Sequence, residues 1–316
     1  MSQLVFLDQA TLPDIDVSAL QQCALPLQCY PHTAPTEVLT RLADATVAIV
    51  NKVQLNAEIL AQLPKLQLIC VTATGTNNID LAAARSAGIV VCNARDYATL
   101  AVPQHAMALL LGLFNQTAWY QQAVQQGAWT NSPQFCWLGY PIRQLAGLNF
   151  TVVGYGGLGQ ATARLAAAFG MQIVIAERPG ALEIRAGRLS FRQALAQADV
   201  LSLHCPATHD NYHLLNSETL SWLKPSAVVL NTARGSLIDA AALASALKTG
   251  KLAGAALDVL ETEPPSADHP LLQPDVPHLL ISPHVGWASQ QAMQQLVAQT
   301  AENIQGFFAG APIRCC

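Results

Sequence analysis

The chain has 316 residues, enough for two domains of ordinary size, and only 11% of them are charged. No apolar run approaches the roughly 20 residues that a membrane span needs, which argues against a membrane protein. The net charge of -4, without a basic cluster, argues against a nucleic-acid partner. The eight cysteines lack the spacing of zinc sites and the N-terminus lacks the basic region of a secretory signal, so we expect no metal and a reducing, cytoplasmic location.

The first third of the chain alternates apolar runs with helical patterns. The runs "LVFLD", "VAIVN", "LQLICVTA" and "GIVVCNA" predict buried strands. The segments between them, "PTEVLTRLADA", "NAEILAQLP" and "NIDLAAARSAG", predict helices closed by Pro or Gly. This alternation is typical of a parallel sheet with helices on both faces.

A single long helix is predicted over residues 102–127, because Pro stands in its first turn and Gly at its end. Six further strands follow, in "FTVVGYG", "MQIVIAE", "ADVLSLHCP", "SAVVLNTA", "LAGAALDVL" and "HLLISPH". They predict a second doubly wound domain. The last helix, "SQQAMQQLVAQTAENIQGFFAG", is expected to cross back and cap the first domain.

The segment "VVGYGGLG" places Gly154, Gly156 and Gly159 between a predicted strand and a predicted helix. Such glycines allow a tight turn, close approach of a pyrophosphate and close helix–strand packing, although an ordinary turn can carry them too. Glu177 ends the next strand, where a carboxylate can accept hydrogen bonds from the adenosine ribose and repel a 2′-phosphate, which favours NAD. Arg178 follows and could pair with a 2′-phosphate, so NADP stays possible.

Three later strand ends carry residues that could do chemistry. Arg234 in "NTARGS" could grip a carboxylate with its planar fork, or form a surface ion pair. Asp258 and Glu263 in "DVLETEPP" could belong to a site or to a solvated acidic turn. His284 in "ISPHVG" could be structural or an acid/base group near neutral pH.

Taken together, these residues match hydride transfer to a 2-keto acid. Arg234 would hold the substrate carboxylate and polarise the carbonyl, and His284 would protonate the developing alkoxide. Glu263 would orient the imidazole of His284 and favour its protonated form.

The motifs "GYGGLG", "ADVLSLHCPATHDNYHLLN", "NTARGSLIDAAALASALKTGKLAGAALDVLETEPP" and "ISPHVGWAS" resemble those of the D-isomer-specific 2-hydroxyacid dehydrogenases. The likeness is greatest to their glycerate dehydrogenase (hydroxypyruvate reductase) branch, and "VTATGTNNIDLAAARSAGIVVCNA" extends it over nearly the whole chain. The resemblance implies an α/β fold with two doubly wound parallel-sheet domains. A flavodoxin-like substrate domain would comprise residues 1–98 and 287–316, and a Rossmann-type dinucleotide-binding domain residues 99–286.

The resemblance also implies roles for individual residues. The catalytic set would be Arg234, Glu263 and His284, and the substrate would contact Thr74, Gly75, Thr76, Arg234 and His284. Asp258 would bind the nicotinamide carboxamide, and the loop of residues 204–208 would line the adenine and ribose side. The cofactor-binding residues would be Gly154, Gly156, Gly157, Leu158, Gly159, Glu177, Arg178, His204, Cys205, Pro206, Thr232, Ala233, Asp258, His284 and Gly286.

The expected activity is reduction of a short 2-keto acid, hydroxypyruvate or glyoxylate first, with NAD(P)H. The family is usually dimeric through the long helix and the following loop, so we expect a homodimer, and Trp137 on that loop could reach the partner's active site. Alternatives are another 2-keto acid, phosphite oxidation on the same fold, or a non-catalytic NAD-sensing protein. The chain departs from the family in having Gln104 where a Glu is common.

Overall fold

The structure, a computed structural model, describes residues 2–316. Its strands are β1 (Gln3–Phe6), β2 (Leu27–Cys29), β3 (Ala45–Val50), β4 (Leu68–Val71), β5 (Val90–Cys92), β6 (Asn149–Val153), β7 (Gln172–Ala176), β8 (Val200–Leu203), β9 (Val228–Asn231), β10 (Gly254–Leu257) and β11 (Leu279–Ile281). Its α-helices are α1 (Ser18–Gln21), α2 (Val38–Leu42), α3 (Ala57–Leu60), α4 (Leu81–Ser86), α5 (Ala101–Phe114), α6 (Thr117–Gln125), α7 (Gly157–Ala168), α8 (Phe191–Gln197), α9 (Ser217–Leu220), α10 (Ala240–Lys248) and α11 (Gln290–Phe308). Short 3-10 helices occupy Gln9–Thr11, Pro35–Glu37, His209–Asn211, Gly235–Leu237 and Pro270–Leu272. Within the described range, no helix combines the length and apolar character needed to cross a membrane.

The chain forms two compact units. Unit 1 comprises Met1–Ala98 and Ala288–Cys316, and unit 2 comprises Thr99–Trp287. Both contain a parallel sheet, which confirms the predicted α/β fold class with two doubly wound domains.

Unit 1 holds a five-stranded sheet in the order β2-β1-β3-β4-β5, the order of flavodoxin-like folds. Strands β3 and β4 are buried along their whole length, as expected for a parallel sheet covered on both faces. Strand β2 was not predicted from the sequence, because its three residues alternate in exposure and include the polar Gln28. Helix α11 packs on β4 and α1, which confirms that the last helix returns to the first domain.

Unit 2 holds a six-stranded sheet in the order β11-β10-β9-β8-β6-β7. A single parallel bridge between Ala176 and Leu189 lies beside β7. With that bridge counted as a residual strand, the order becomes that of a Rossmann fold extended by one strand. The strand order reverses direction between β6 and β8, and parallel sheets of this kind bind ligands at the carboxyl ends of the strands beside that point.

Both faces of the unit 2 sheet are buried by apolar side chains. Phe150 and Val152 of β6 pack with α5 residues such as Leu110 on one face. Val153 packs in a separate cluster with α8 and α10 residues on the other. This two-sided burial fixes the strand register, so the residues that follow each strand emerge at one common edge.

The prediction of one long helix over residues 102–127 is wrong. Helix α5 ends at Phe114, and α6 begins at Thr117. Gln116 between them has φ of 55°, in the left-handed region, and its side-chain amide donates to the Leu113 carbonyl at 3.0 Å. This side-chain hydrogen bond to the backbone replaces the helical pattern and lets the chain change direction.

Candidate active site

The glycine segment forms the turn between β6 and α7. Gly154 has φ of 93°, and a Cβ there would lie 2.5 Å from the Cys205 nitrogen. A Cβ at Gly159 would lie 2.1 Å from the Gly154 carbonyl oxygen, so this glycine permits the close packing of helix and strand. A Cβ at Gly156 or Gly157 would meet nothing within 4 Å. The turn therefore has two glycines that packing requires and two that face open space.

Helix α7 directs its N-terminus toward this open space. The first intrahelical bond runs from the Gln160 N–H to the Gly156 carbonyl at 2.9 Å, so the N–H groups of Gly157, Leu158 and Gly159 precede the helical ladder. These N–H groups and the positive end of the helix dipole suit an anion. The residues present therefore fit the pyrophosphate of a dinucleotide.

A cavity of about 640 Å³ lies beside the turn, within unit 2. This volume is in the usual range for small-molecule and cofactor sites. Its lining includes Gly154, Gly156, Glu177, Arg178, Arg185, Arg188, His204, Cys205, Pro206 and Thr208. The structure thus brings most of the expected cofactor-binding residues of the first three strand ends together around one cavity.

Glu177 follows β7, and its carboxylate is buried at 3% relative exposure. Arg185 donates to both carboxylate oxygens, with Nε at 2.7 Å from Oε2, and the Arg178 N–H donates to Oε1 at 2.9 Å. Arg188 Nε lies 3.8 Å from Oε2. The hydrogen bonds from Arg185 and Arg178 are the main reason why the pKa of Glu177 falls to about 2. The charge expected to repel a 2′-phosphate is thus compensated by arginines.

His204 follows β8 and lines the same cavity. Its Nε2 lies 2.7 Å from Ser202 Oγ on a buried part of the strand. Burial penalises the imidazolium and lowers the pKa of His204 to about 4. His204 is therefore neutral at physiological pH and offers polar contacts without charge.

The end of β9 is organised by Asn231. Its side chain accepts from the Ala233 N–H and donates to the Arg234 carbonyl, both at 2.9 Å. Arg234 is exposed, and its Nη1 donates to the Ala233 carbonyl at 2.7 Å. A Cβ at Gly235 would lie 1.9 Å from the Leu260 carbonyl carbon, so the Arg234 turn lies directly against the loop after β10. Thr232 carries a buried hydroxyl oxygen that has no hydrogen-bond partner among the described residues, which suits contact with a bound group.

Asp258 follows β10 and is a buried centre of hydrogen bonds. Its carboxylate accepts from Ser282 Oγ, from the Val285 N–H at 3.0 Å and from the Gly286 N–H at 2.8 Å. His105 Nε2, on α5, lies 3.2 Å from Oδ1. Burial alone would raise the pKa of Asp258, but these hydrogen bonds outweigh it, and the pKa lies below its ordinary value. The ionised carboxylate fixes the chain on both sides of His284, in the turn that follows β11.

His284 and Glu263 are in direct contact. His284 Nδ1 lies 2.6 Å from Glu263 Oε2, and the other carboxylate oxygen accepts from the Leu260 N–H at 3.0 Å. His284 has φ of 54°, a left-handed conformation that costs energy for a residue with a side chain. Its N–H donates to the Asp258 carbonyl at 2.8 Å, so the Asp258 network holds this strained turn in place. An acid/base group oriented by a carboxylate is the usual arrangement for proton transfer.

The third expected element, the Thr74–Thr76 loop, lies in unit 1 after β4. The Thr74 carbonyl accepts from Asn93 Nδ2 at 2.8 Å, and Thr74 Oγ1 donates to the Ala94 carbonyl at 2.9 Å. The loop is thus tied to the end of β5. Its binding of a substrate carboxylate stays a prediction.

Four residues that organise the site were not predicted from the sequence: His105, Ser282, Arg185 and Arg188. His105 lies far upstream of Asp258 in the chain, next to Gln104, and nothing in its local sequence indicates a contact with Asp258. Arg185 and Arg188 lie in an irregular stretch without a pattern. The concentration of arginines shortly after a strand-end glutamate was the available signal.

Comparison with known proteins gives a consistent result. Residues 107–286 match the family model described as "D-isomer specific 2-hydroxyacid dehydrogenase, NAD binding domain". The chain is 39% identical over 315 residues to the glycerate dehydrogenase of Methylorubrum extorquens, covering 98% of this chain and 97% of that protein. Among solved structures, a protein of Thermus thermophilus superposes with a TM-score of 0.89 and 33% identity, covering 100% of this chain and 99% of that chain.

A second solved structure carries ligands. It is an NADPH-dependent glyoxylate/hydroxypyruvate reductase of Sinorhizobium meliloti in complex with NADP and malonate, with a TM-score of 0.82 and 25% identity, covering 100% of this chain and 96% of that chain. The family match spans more than half of the chain, and the curated relative is similar along almost its whole length. The glycine turn, the strand-end residues and these matches agree, and the chain belongs to the D-isomer-specific 2-hydroxyacid dehydrogenase family.

Proposed function

We propose that this chain reduces hydroxypyruvate to D-glycerate, with glyoxylate as a second substrate, using NADH or NADPH. The similarity to a glycerate dehydrogenase and to a glyoxylate/hydroxypyruvate reductase supports this substrate class. The observation that carries the proposal is the 2.6 Å contact between His284 and Glu263 on the sheet edge that also carries the glycine turn.

The bound dinucleotide would supply the hydride that reaches C2 of the keto acid. The residues that would hold it are those around the glycine turn and the cavity beside it. Arg234 binds the substrate carboxylate and polarises the carbonyl. His284 gives its proton to the developing alkoxide through the ring nitrogen that does not face Glu263, and Glu263 orients the imidazole.

The test follows NADH oxidation with hydroxypyruvate at saturating cofactor. His284→Ala should lower kcat by roughly 10²–10⁴-fold, because general acid catalysis contributes about that much. The matched control is His32→Ala, since His32 is an exposed histidine of unit 1 and should leave kcat unchanged. Wild-type protein without turnover on any short 2-keto acid would overturn the enzymatic proposal, and full turnover in His284→Ala would overturn the role of His284.

The arginines around Glu177 support use of both cofactors. Arg178, Arg185 and Arg188 line the cavity, and Arg185 neutralises Glu177. A 2′-phosphate would therefore meet positive charge rather than an uncompensated carboxylate. Parallel kinetics with NADH and NADPH would test this, and a KM for NADPH above that for NADH by orders of magnitude would contradict it.

Unit 2 would bind the dinucleotide, and unit 1 would contribute the Thr74–Thr76 loop to substrate binding. A homodimer is the expected assembly, and the segment after α6 supports it, since Phe135 and Leu138 are 93% and 79% exposed. Trp137 packs edge-on against Tyr120 and Tyr140 in that segment, and its contact with a partner's active site remains a prediction. Light scattering would determine the assembly. The eight unpaired cysteines suit a reducing cytoplasm.

A further inference from the structure

The C-terminal residues of unit 1 pair with the edge strand β5. The Asn93 N–H donates to the Arg314 carbonyl at 3.1 Å, and the Cys316 N–H donates to the Val91 carbonyl at 2.9 Å. These bonds flank an antiparallel bridge between Cys92 and Cys315. The C-terminal segment, residues 314–316, thus pairs with the edge of the sheet through a single antiparallel bridge.

The pairing places two cysteines directly opposite each other. Cys92 and Cys315 exchange no backbone hydrogen bond, because the bonds run between their neighbours. In such non-hydrogen-bonded antiparallel pairs the Cα atoms lie about 4.5 Å apart and the side chains approach closely. That separation is within the range of disulfides. The two Sγ atoms lie 3.9 Å apart, so side-chain rotation can bring them together without a change of fold.

We propose that Cys92 and Cys315 form a reversible disulfide when the protein meets a hydroperoxide, and that this bond fastens the C-terminal segment to β5. This inference is independent of the reaction proposed above, since it concerns only unit 1. The backbone pairing is the main support for this proposal, because it places the two cysteines opposite each other before any oxidation.

Disulfide formation takes two steps, oxidation of one cysteine and attack on it by the other, and the exposure of the two thiols determines which cysteine is oxidised first. Cys315 is exposed, whereas Cys92 is buried, and burial together with the neighbouring Cys315 thiol raises the pKa of Cys92 to about 12. The thiolate of Cys315 attacks one oxygen of hydrogen peroxide and the O–O bond breaks, which leaves a sulfenic acid and releases hydroxide that takes up a proton as water. The Cys92 sulfur then displaces the sulfenic oxygen. The S–S bond forms, the S–O bond breaks and a second water leaves. The two thiols lose two electrons and two protons in all, and a thiol reductant restores them.

Cys316 is the natural competitor, because it neighbours Cys315 in the chain and is also exposed. Its N–H is bound to the Val91 carbonyl in the strand pairing, whereas the residue opposite Cys315 is Cys92. The pairing therefore selects Cys92 over Cys316 as the partner of Cys315.

The test treats the full chain with hydrogen peroxide, blocks remaining thiols with iodoacetamide and maps disulfides by mass spectrometry. We expect a loss of two hydrogens and a cross-linked peptide pair that contains Cys92 and Cys315, reversed by dithiothreitol. Carboxypeptidase should release the C-terminal residues at least several-fold more slowly from the oxidised than from the reduced protein.

The matched variants are Cys315→Ser and Cys316→Ser, since both replace exposed residues and leave the core intact. Cys316→Ser should keep the disulfide and the protection from carboxypeptidase, and Cys315→Ser should lose both. A disulfide that maps to Cys315 and Cys316, or no disulfide at peroxide concentrations that oxidise other cysteines of the chain, would overturn the proposal. Neither readout depends on catalytic turnover, so failure here is distinguishable from failure of the proposed enzymatic function.

Discussion

Both units place a buried aspartate at the carboxyl end of a strand, and the two aspartates differ in what surrounds them. In unit 1, Asp8 after β1 accepts from the N–H groups of Asn51, Lys52 and Val53, at 2.7–3.2 Å. In unit 2, Asp258 after β10 accepts from two backbone N–H groups and also contacts Ser282 and His105. The Asp8 carboxylate fixes the loop that follows β3. Asp258 holds the turn that contains His284, the proposed general acid.

The difference shows that the sheet edge alone does not make a catalytic site. The two sheets are built alike, but unit 2 adds ionisable side chains at successive strand ends: Glu177, His204, Arg234, Asp258, Glu263 and His284. The strand ends of unit 1 also carry ionisable residues, such as Asp8 and Arg95, but Asp8 accepts from backbone N–H groups and the Arg95 guanidinium donates to a backbone carbonyl. What unit 2 provides is direct contact between ionisable side chains at its strand ends, as between His284 and Glu263.

Replacing the two aspartates in parallel gives the largest expected difference. Asp258→Asn should lower kcat about 10–100-fold, because an amide cannot accept from all of its present donors and a displacement of about 1 Å in the His284 turn is costly. Asp8→Asn should lower the free energy of unfolding by about 1–3 kcal/mol and leave kcat within about two-fold. Steady-state kinetics and urea unfolding of both variants measure this. Equal effects on kcat would show that the two carboxylates do not differ in function.

The next largest difference between the units is expected in how the free energy of unfolding depends on pH. The pKa of His204 is about 4 in the folded protein, below the value of about 6.5 expected in the unfolded chain. The unfolded state therefore binds more protons, and the stability from neutral His204 is complete above pH 6.5 and declines as the pH falls toward 4. Between pH 7 and pH 5 this amounts to about 2 kcal/mol. Urea unfolding of the full chain at pH 7 and at pH 5 should show this loss.

His204→Gln provides the comparison, because it cannot titrate and should flatten the dependence on pH. The exposed His32→Gln in unit 1 should leave the dependence unchanged. An identical pH profile for wild type and His204→Gln would refute the assignment.

The smallest expected effect concerns the cofactor. Arg185→Ala would leave Glu177 with less compensating charge, so the ratio of kcat/KM for NADPH to that for NADH should fall about 10-fold, equivalent to about 1.4 kcal/mol. Arg164→Ala, on the exposed face of α7, should leave the ratio unchanged. If Arg185→Ala left this ratio unchanged, Arg185 would have no role in the choice between NADPH and NADH.

Much of this architecture could be predicted from local patterns. The alternation of apolar runs and helical segments predicted ten of the strands, and the glycine spacing predicted the β6–α7 turn, because each depends on residues close in sequence. The strand β2 and the break at Gln116 could not be predicted, since short polar segments carry no periodicity. The arginines after Glu177 are visible in the sequence, but which of them contacts the carboxylate depends on tertiary structure, as does the contact of His105 with Asp258.

The assembly of unit 1 from two distant parts of the chain has a consequence for its synthesis. Unit 2 is continuous from Thr99 to Trp287, so all of its residues are available before α11 is translated. Strand β4 packs against α11 and lacks that cover while the ribosome is still completing unit 2. Since exposed strands of partly synthesised proteins are prone to aggregation, the first unit to be started is the last that can be finished, and β4 is where a nascent chain would need protection.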